Sequence, residues 1–60
     1  MRIIIDINTD NAAFEDALDR EVERLLKDIA EHVFREGIPD QRKLFDLNGN
    51  HVGFIRVEGD

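Results

Sequence analysis

The amino-acid sequence predicts an α+β fold in which a three-stranded sheet carries one long amphipathic helix on one face, in the order β-α-β-β. Three features of the sequence predict it. Residues 2–7 are rich in isoleucine, residues 12–36 carry apolar side chains at helical spacing, and residues 42–57 contain two apolar runs around Asn48-Gly49. Dense β-branched residues favour a strand, a period of 3.6 favours a helix, and an Asn-Gly pair favours a hairpin turn.

The first predicted strand has two different faces. Alternation places one set of isoleucines together: Ile3, Ile5 and Ile7. The other face carries Arg2, Ile4 and Asp6. Turn and cap formers follow the strand, and we expect either Asp10 or Asn11 to cap the helix, because both side chains accept hydrogen bonds from free amides.

The predicted helix extends from Ala12 to Glu36 and is strongly amphipathic. About one third of its circumference holds all its large aliphatic residues and one aromatic residue: Phe14, Leu18, Val22, Leu25, Leu26, Ile29 and Val33. Acid precedes base at a spacing of four on the charged side, which stabilises a helix, in Asp16–Arg20, Glu23–Lys27 and Glu31–Arg35. We expect Gly37 to end the helix, with Pro39 behind it.

The last two strands are predicted to form a hairpin with a two-residue loop at Asn48-Gly49, which sets their register. Phe45 then pairs with Val52, and Leu44 pairs with Gly53. One face holds Phe45, Leu47, Val52 and Phe54, and the other holds Leu44, Ile55 and Val57. Because one helix covers only one face and is longer than the strands, we expect either the outer face of the sheet or the overhanging part of the helix to contact another chain, most simply in a two-fold homodimer. The outer face is expected to carry Ile4, Leu44 and Ile55 or Val57.

Composition excludes several classes of protein. The 60 residues suffice for a single domain, 1–60, near the lower size limit for independent folding. Cysteine is absent and there are two histidines, so we expect no disulfide, no metal and no cofactor. A net charge of −6 opposes direct binding to nucleic acid, and no apolar run is long enough to cross a membrane. We therefore expect a soluble cytoplasmic protein that gains stability by association.

Two short patterns resemble catalytic or metal sites, and both have a simpler interpretation. Residues 46–50 have the Asp-x-Asn-x-Asn spacing of a calcium loop, but the sixth and twelfth positions are His51 and Val57 instead of Gly and Glu. A hairpin turn is the expectation. His32 precedes Glu36 by four residues, as in an oriented base or an ordinary boundary pair. Thr9 is the only hydroxyl, so no nucleophilic triad is available and we expect no enzyme.

Two surface features have a functional interpretation as well as a structural one. Phe34 falls on the charged side of the predicted helix, where Ile38 and Pro39 would cover it after the helix ends, or where it would anchor a partner protein. The acidic residues at one end of the helix are either solvated or form a patch that fits a basic groove. That patch is made of Asp6, Asp10, Glu15, Asp16, Asp19 and Glu21.

Two motifs in this chain resemble a known group of proteins. The first is Asp10-Asn11-Ala12-Ala13-Phe14, and the second is Asp46-x-Asn48-Gly49-Asn50-x-Val52-Gly53. Together with the strand and helix between them, they resemble small uncharacterised proteins encoded by tailed bacteriophages and prophages. The resemblance covers nearly the whole chain except the connection at residues 36–42. It implies an accessory protein of the bacterial host cytoplasm, and it transfers no catalytic or binding residue.

Two functions are compatible with these features. The first is a non-enzymatic protein that binds a host or phage protein, such as a host factor or a defence system, through Phe34 and the acidic residues Asp10, Glu15, Asp16 and Asp19. The second is a structural protein that assembles with itself through the outer face of the sheet.

Overall fold

The computed structural model describes residues 1–59 as one helix packed on a three-stranded antiparallel sheet. The strand order in the sheet is β1-β3-β2. This confirms the α+β class and the order of strands and helix along the chain. The elements are β1 (Arg2–Ile7), a 3₁₀ turn (Ala12–Phe14), α1 (Leu18–Glu36), β2 (Gln41–Phe45) and β3 (His51–Glu58).

The face of the sheet that α1 covers differs from the expectation. Leu44 and Ile55 are buried in the core, with 5% and 2% of their surface exposed, so their predicted place on the outer face is wrong. Ile4 does lie on the outer face, because its neighbour Ile5 pairs with Ile55 on the core side. The outer face instead carries Phe54, whose ring is covered by the Arg56 guanidinium at 5.2 Å.

The core is small and lies between α1, the 3₁₀ turn and the inner face of the sheet. It consists of Phe14, Leu25, Ile29, Leu44, Val52 and Ile55. Four half-buried residues pack around it: Ile7, Ala13, Val22 and Val33. Leu18 and Leu26, which the helical spacing also assigned to the apolar stripe, are 46% and 45% exposed. The buried face of the helix is therefore narrower than the apolar stripe predicted from the sequence.

The helix begins six residues later than the sequence predicts and ends where expected. The Asn11 side chain accepts a hydrogen bond from the Ala13 amide at 3.1 Å, so it caps the 3₁₀ turn and not a long helix. This short turn carries Phe14 into the core. Ala17 has φ −148° and ψ 51°, which separates the turn from α1. At the other end, Gly37 has φ +86° and its amide donates to the Val33 carbonyl at 2.9 Å.

The hairpin loop spans residues 46–50 instead of the two predicted residues. Leu44 pairs with Gly53 as predicted, but the register shifts after Leu44, and Phe45 pairs with His51 instead of Val52. The cause is local, because Asp46 begins the loop: its carbonyl accepts from the Gly49 amide at 3.0 Å and its amide donates to the Asn50 carbonyl at 2.8 Å. The predicted turn at Asn48-Gly49 is thus part of a longer loop.

Gly53 lies where the β1 backbone leaves no room for a side chain, so replacing it tests the packing of the sheet. A Cβ atom at this position would overlap the Asp6 carbonyl oxygen and would lie 2.9 Å from the Asp6 carbonyl carbon. We expect Gly53→Ala to lower the free energy of unfolding by about 1–3 kcal/mol or more, because backbone atoms must separate. Urea unfolding at a fixed protein concentration measures this.

The matched control for that variant is Gly37→Ala. Gly37 has positive φ but nothing within 4 Å of an added Cβ. Its substitution should cost about 1 kcal/mol through backbone strain alone. If Gly53→Ala unfolds at the same urea concentration as the wild type, the close approach of the two strands does not exist in solution.

Candidate binding surfaces

Phe34 is the most exposed aromatic side chain on the helix. It is 89% exposed and lies half a turn around α1 from the buried Leu25. At this exposure Phe34 is not covered by Ile38 or Pro39, so the interpretation in which the chain after the helix covers it is wrong. An aromatic ring held in water on an ordered helix is available to contact a partner.

Five of the six acidic residues predicted to form one patch are exposed, and they lie in three places. Asp10 lines a shallow depression together with Asn8, Asn11, His51 and Val52. Three of the acids, Glu15, Asp16 and Asp19, surround the start of α1 beside Arg20. Asp6 is also exposed, on the outer face of β1. The patch around the start of the helix is therefore smaller than the sequence suggests.

The structure does not bring Phe34 and the acidic end of the helix together. Asp19 and Phe34 are fifteen positions apart on α1, which corresponds to about 22 Å along the helix axis. A partner that contacts both must therefore span most of the helix. Otherwise they are two independent surfaces.

Glu21 does not belong to the exposed acidic patch, which corrects the prediction. It is 6% exposed, and its carboxylate accepts hydrogen bonds from Arg24 Nε at 2.8 Å and Arg24 Nη2 at 2.9 Å. It also accepts from the backbone amide of Leu47 at 2.8 Å. Arg24 in turn donates to the Phe45 carbonyl at 3.1 Å and to Asp28 at 3.1 Å. This cluster joins the helix to the hairpin loop.

The ionisation of this pair follows from the contacts. The hydrogen bonds from Arg24 lower the pKa of Glu21, and they outweigh burial, which acts in the opposite direction. The Leu47 amide lowers the pKa of Glu21 further. The same bonds to Glu21 raise the pKa of Arg24. Both side chains are therefore charged at neutral pH.

Asp46 is the second buried carboxylate, and it shapes the loop that Glu21 contacts. It is 5% exposed, and its Oδ1 accepts from the amides of Asn48 and Asn50, each at 2.8 Å. The Asn50 side chain donates to its Oδ2 at 3.2 Å. Burial raises the pKa of Asp46, but the bonds from Asn50, Asn48 and Gly49 together lower it. These oxygens are occupied by the chain itself, which agrees with a hairpin turn at this position.

Sequence reasoning identified Asp46 as a turn residue but missed the role of Glu21. The signal was present, because Glu21 precedes Leu25 by four residues and Ile29 by eight, which places it on the buried face. Arg24, three residues later, places a cation within reach of the Glu21 carboxylate. The charge of Glu21 favours an exposed position, whereas its place on the helix favours a buried one.

His32 and Glu36 form the pair that their spacing indicates. His32 Nδ1 lies 3.5 Å from a Glu36 carboxylate oxygen, and the His32 side chain is 19% exposed. Within residues 1–59, no group of three or more acidic or histidine side chains is placed to hold a metal ion. The helices of this same part of the chain are too short or too polar to cross a membrane.

Comparisons with known proteins assign no family. No protein-family model, curated protein or solved structure matches this chain. The similarity to phage proteins therefore stays a hypothesis, and the surfaces described above are the basis for a functional proposal.

Acid should destabilise the protein through the two buried carboxyl groups. Glu21 and Asp46 have pKa values below their ordinary values of 4.5 and 3.8. Their contribution to stability is complete above about pH 5 and is lost as the pH falls through the folded-state pKa values. We expect the free energy of unfolding, measured with urea, to decrease between about pH 5 and about pH 3.

Glu21→Gln separates this effect from general acid denaturation. The variant should lose about 1–3 kcal/mol at neutral pH, because a hydrogen-bonded buried carboxylate is removed, and its stability should depend less on pH in the acid range. Glu23→Gln is the matched control, since Glu23 is 65% exposed on the same helix. A Glu21→Gln protein with the wild-type pH slope would show that Glu21 is not the titrating group.

Proposed function

We propose that this chain is a non-enzymatic protein-binding module of the phage accessory type, which binds a host or phage protein in the bacterial cytoplasm. The observation that carries the proposal is Phe34, an aromatic side chain that is 89% exposed on an ordered helix and contributes nothing to the core. Aromatic residues in such positions dominate the binding energy of many interfaces.

Charge supports a protein partner with a basic surface. The net charge is −6, and Asp10, Glu15, Asp16 and Asp19 are all exposed. Long-range attraction between such acids and a basic surface accelerates association and weakens as salt is added. The helix thus presents its acidic end and Phe34 about 22 Å apart along its axis. One partner that spans this distance, or two different partners, can bind these two surfaces.

The alternative function, self-assembly through the outer face of the sheet, loses two of its three residues. Leu44 and Ile55 are in the core and cannot contact a second chain without unfolding. Ile4 alone stays available on that face. A different surface must carry any self-association.

Affinity capture of the tagged protein from bacterial lysate tests the proposed function. We expect one stoichiometric partner that decreases as salt rises, and we expect Phe34→Ala to reduce its affinity by about tenfold or more. Thermal unfolding of Phe34→Ala should match the wild type, because the ring is exposed. Leu47→Ala is the matched control, since Leu47 is also an exposed apolar residue, 73% exposed, in the hairpin loop that contacts Glu21 near the start of α1.

The acidic end is tested separately with Asp16→Lys and Asp19→Lys together. If these reversals leave the affinity and its salt dependence unchanged, the acidic end is solvated surface and Phe34 acts alone. If neither Phe34→Ala nor the reversals change the captured material, the proposed binding function is wrong.

A further inference from the structure

The two edges of the sheet have different chemistry. The β2 edge carries two adjacent like charges, Arg42 and Lys43. Like charges on an edge strand keep it from pairing with another chain. The β1 edge also carries two charges, but Arg2 and Asp6 are opposite in sign; it has three consecutive isoleucines and no proline, and its pairing with β3 is regular over residues 2–7. Strand β1 is thus an unprotected edge.

The free backbone groups on β1 follow from its pairing with β3. The Asn8 amide donates to the Val52 carbonyl at 2.7 Å, so residue 8 belongs to a hydrogen-bonded pair with β3. Alternation along an antiparallel pair then directs the backbone groups of residues 2, 4 and 6 toward β3. The N–H and C=O groups of Ile3, Ile5 and Ile7 point to the free edge.

The side chains of β1 complement those of a second copy in one antiparallel register. When Ile4 lies opposite Ile4, each Ile3 lies opposite Ile5, and each Arg2 lies opposite Asp6 of the other chain. Registers centred on Ile3 or Ile5 also bring the free N–H and C=O groups of the two chains opposite each other. They place Arg2 or Asp6 opposite Ile4, however, and not opposite a residue of the other charge. Opposite charges directly across two strands stabilise pairing. Within residues 1–59, neither Arg2 nor Asp6 has an ion-pair partner in its own chain.

We infer that β1 pairs with β1 of a second copy, antiparallel about a two-fold axis at Ile4, to form a six-stranded sheet. In this arrangement the amides and carbonyls of Ile3 and Ile5 form four hydrogen bonds between the chains. The two Ile4 side chains meet on the outer face. The β2 edges lie at the two ends of the larger sheet, so assembly stops at a dimer.

Apolar side chains are also exposed beside the β1 edge on the face of the sheet that carries the helix. Ile3 and Ile5 point toward the helix layer but are 48% and 43% exposed. Leu26, 45% exposed, lies about 200° around α1 from Arg24, whose guanidinium contacts β2, so Leu26 faces the β1 side. A second copy across the β1 edge covers these side chains with its own.

The chain exposes 4566 Å², whereas a compact monomer of 7.0 kDa exposes about 4000 Å². The half-exposed Ile3 and Ile5 of β1 contribute to this surface. Self-association is independent of the proposed partner binding. Phe34 lies on the side of α1 away from the sheet, so it stays exposed in the dimer.

A charge exchange tests this register by sedimentation equilibrium. The wild type should form a species of about twice the 7.0 kDa chain mass, with a dissociation constant that rises with salt. Arg2→Asp or Asp6→Arg alone places like charges opposite each other at two symmetric positions and should weaken the dimer about tenfold or more. The double variant Arg2→Asp/Asp6→Arg restores opposite charges and should recover most of the affinity.

Controls separate dimer loss from misfolding. Arg42→Asp changes the net charge as much as Arg2→Asp but lies on the β2 edge, and it should leave the dimer intact. In its own chain Arg2 lies opposite Glu58, so the local repulsion created by Arg2→Asp persists in the double variant. Recovery in the double variant therefore reports contact between chains. Circular dichroism confirms that each variant is folded.

Three results would overturn the inference. They are a wild type that stays monomeric at the highest concentration measured, single variants that dimerise like the wild type, and a double variant that is as weak as the single ones. Each can occur while Phe34 still binds a partner protein, so failure of the dimer and failure of the proposed function are distinguishable.

Discussion

The rotation of the helix about its own axis is fixed by the buried carboxylate of Glu21. Only Leu25 and Ile29 of α1 are deeply buried apolar residues, and two such side chains alone restrain rotation weakly. Glu21 adds a directional restraint, because it accepts a hydrogen bond from the Leu47 amide of the hairpin loop, while Arg24 beside it donates to the Phe45 carbonyl. With this rotation set, Phe34 faces away from the sheet. The exposed surface of the protein thus depends on one polar contact under the helix.

The loop that receives Glu21 also shapes the sheet. Asp46 accepts hydrogen bonds from the amides of Asn48 and Asn50, and the resulting five-residue loop shifts the register between β2 and β3. The extra residue at this shift is Val52, in the central strand β3. One buried carboxylate therefore shapes both the loop that contacts the helix and the pairing of the two strands that flank the loop. The pairing of β1 with β3 stays regular over residues 2–7.

The sequence allowed the class, the order of elements and the end of the helix to be predicted, because these depend on local patterns. Isoleucine-rich β1, the 3.6 period of α1 and the stop at Gly37 are of this kind. The start of the helix was missed because Asn11 caps a short turn as readily as a long helix. The buried face of the sheet was missed because both faces carry apolar residues, and only packing decides between Ile55 and Phe54.

Among the surface residues, too, some could be predicted from local sequence and others depend on contacts distant in the chain. The exposure of Phe34 could be predicted from its position on the helical wheel, as one of two alternatives, because it is a property of a single helix. The burial of Glu21 depends on a loop 26 residues away in the chain. The opposed charges of Arg2 and Asp6 become meaningful only when β1 is known to be an edge strand. Long-range neighbours therefore determine the function of residues whose local pattern is ordinary.

The strand order also dictates how the chain acquires its structure. Ile5 pairs with Ile55, so every β1 contact in the sheet joins positions far apart in sequence. The helix and the β2–β3 hairpin depend on near neighbours, and we expect them to form first, because closing a long loop costs chain entropy before any contact forms. Strand β1 then docks last, onto a preformed hairpin. Until that step its three isoleucines stay in water, which makes the slowest part of folding also the stage most exposed to off-pathway association.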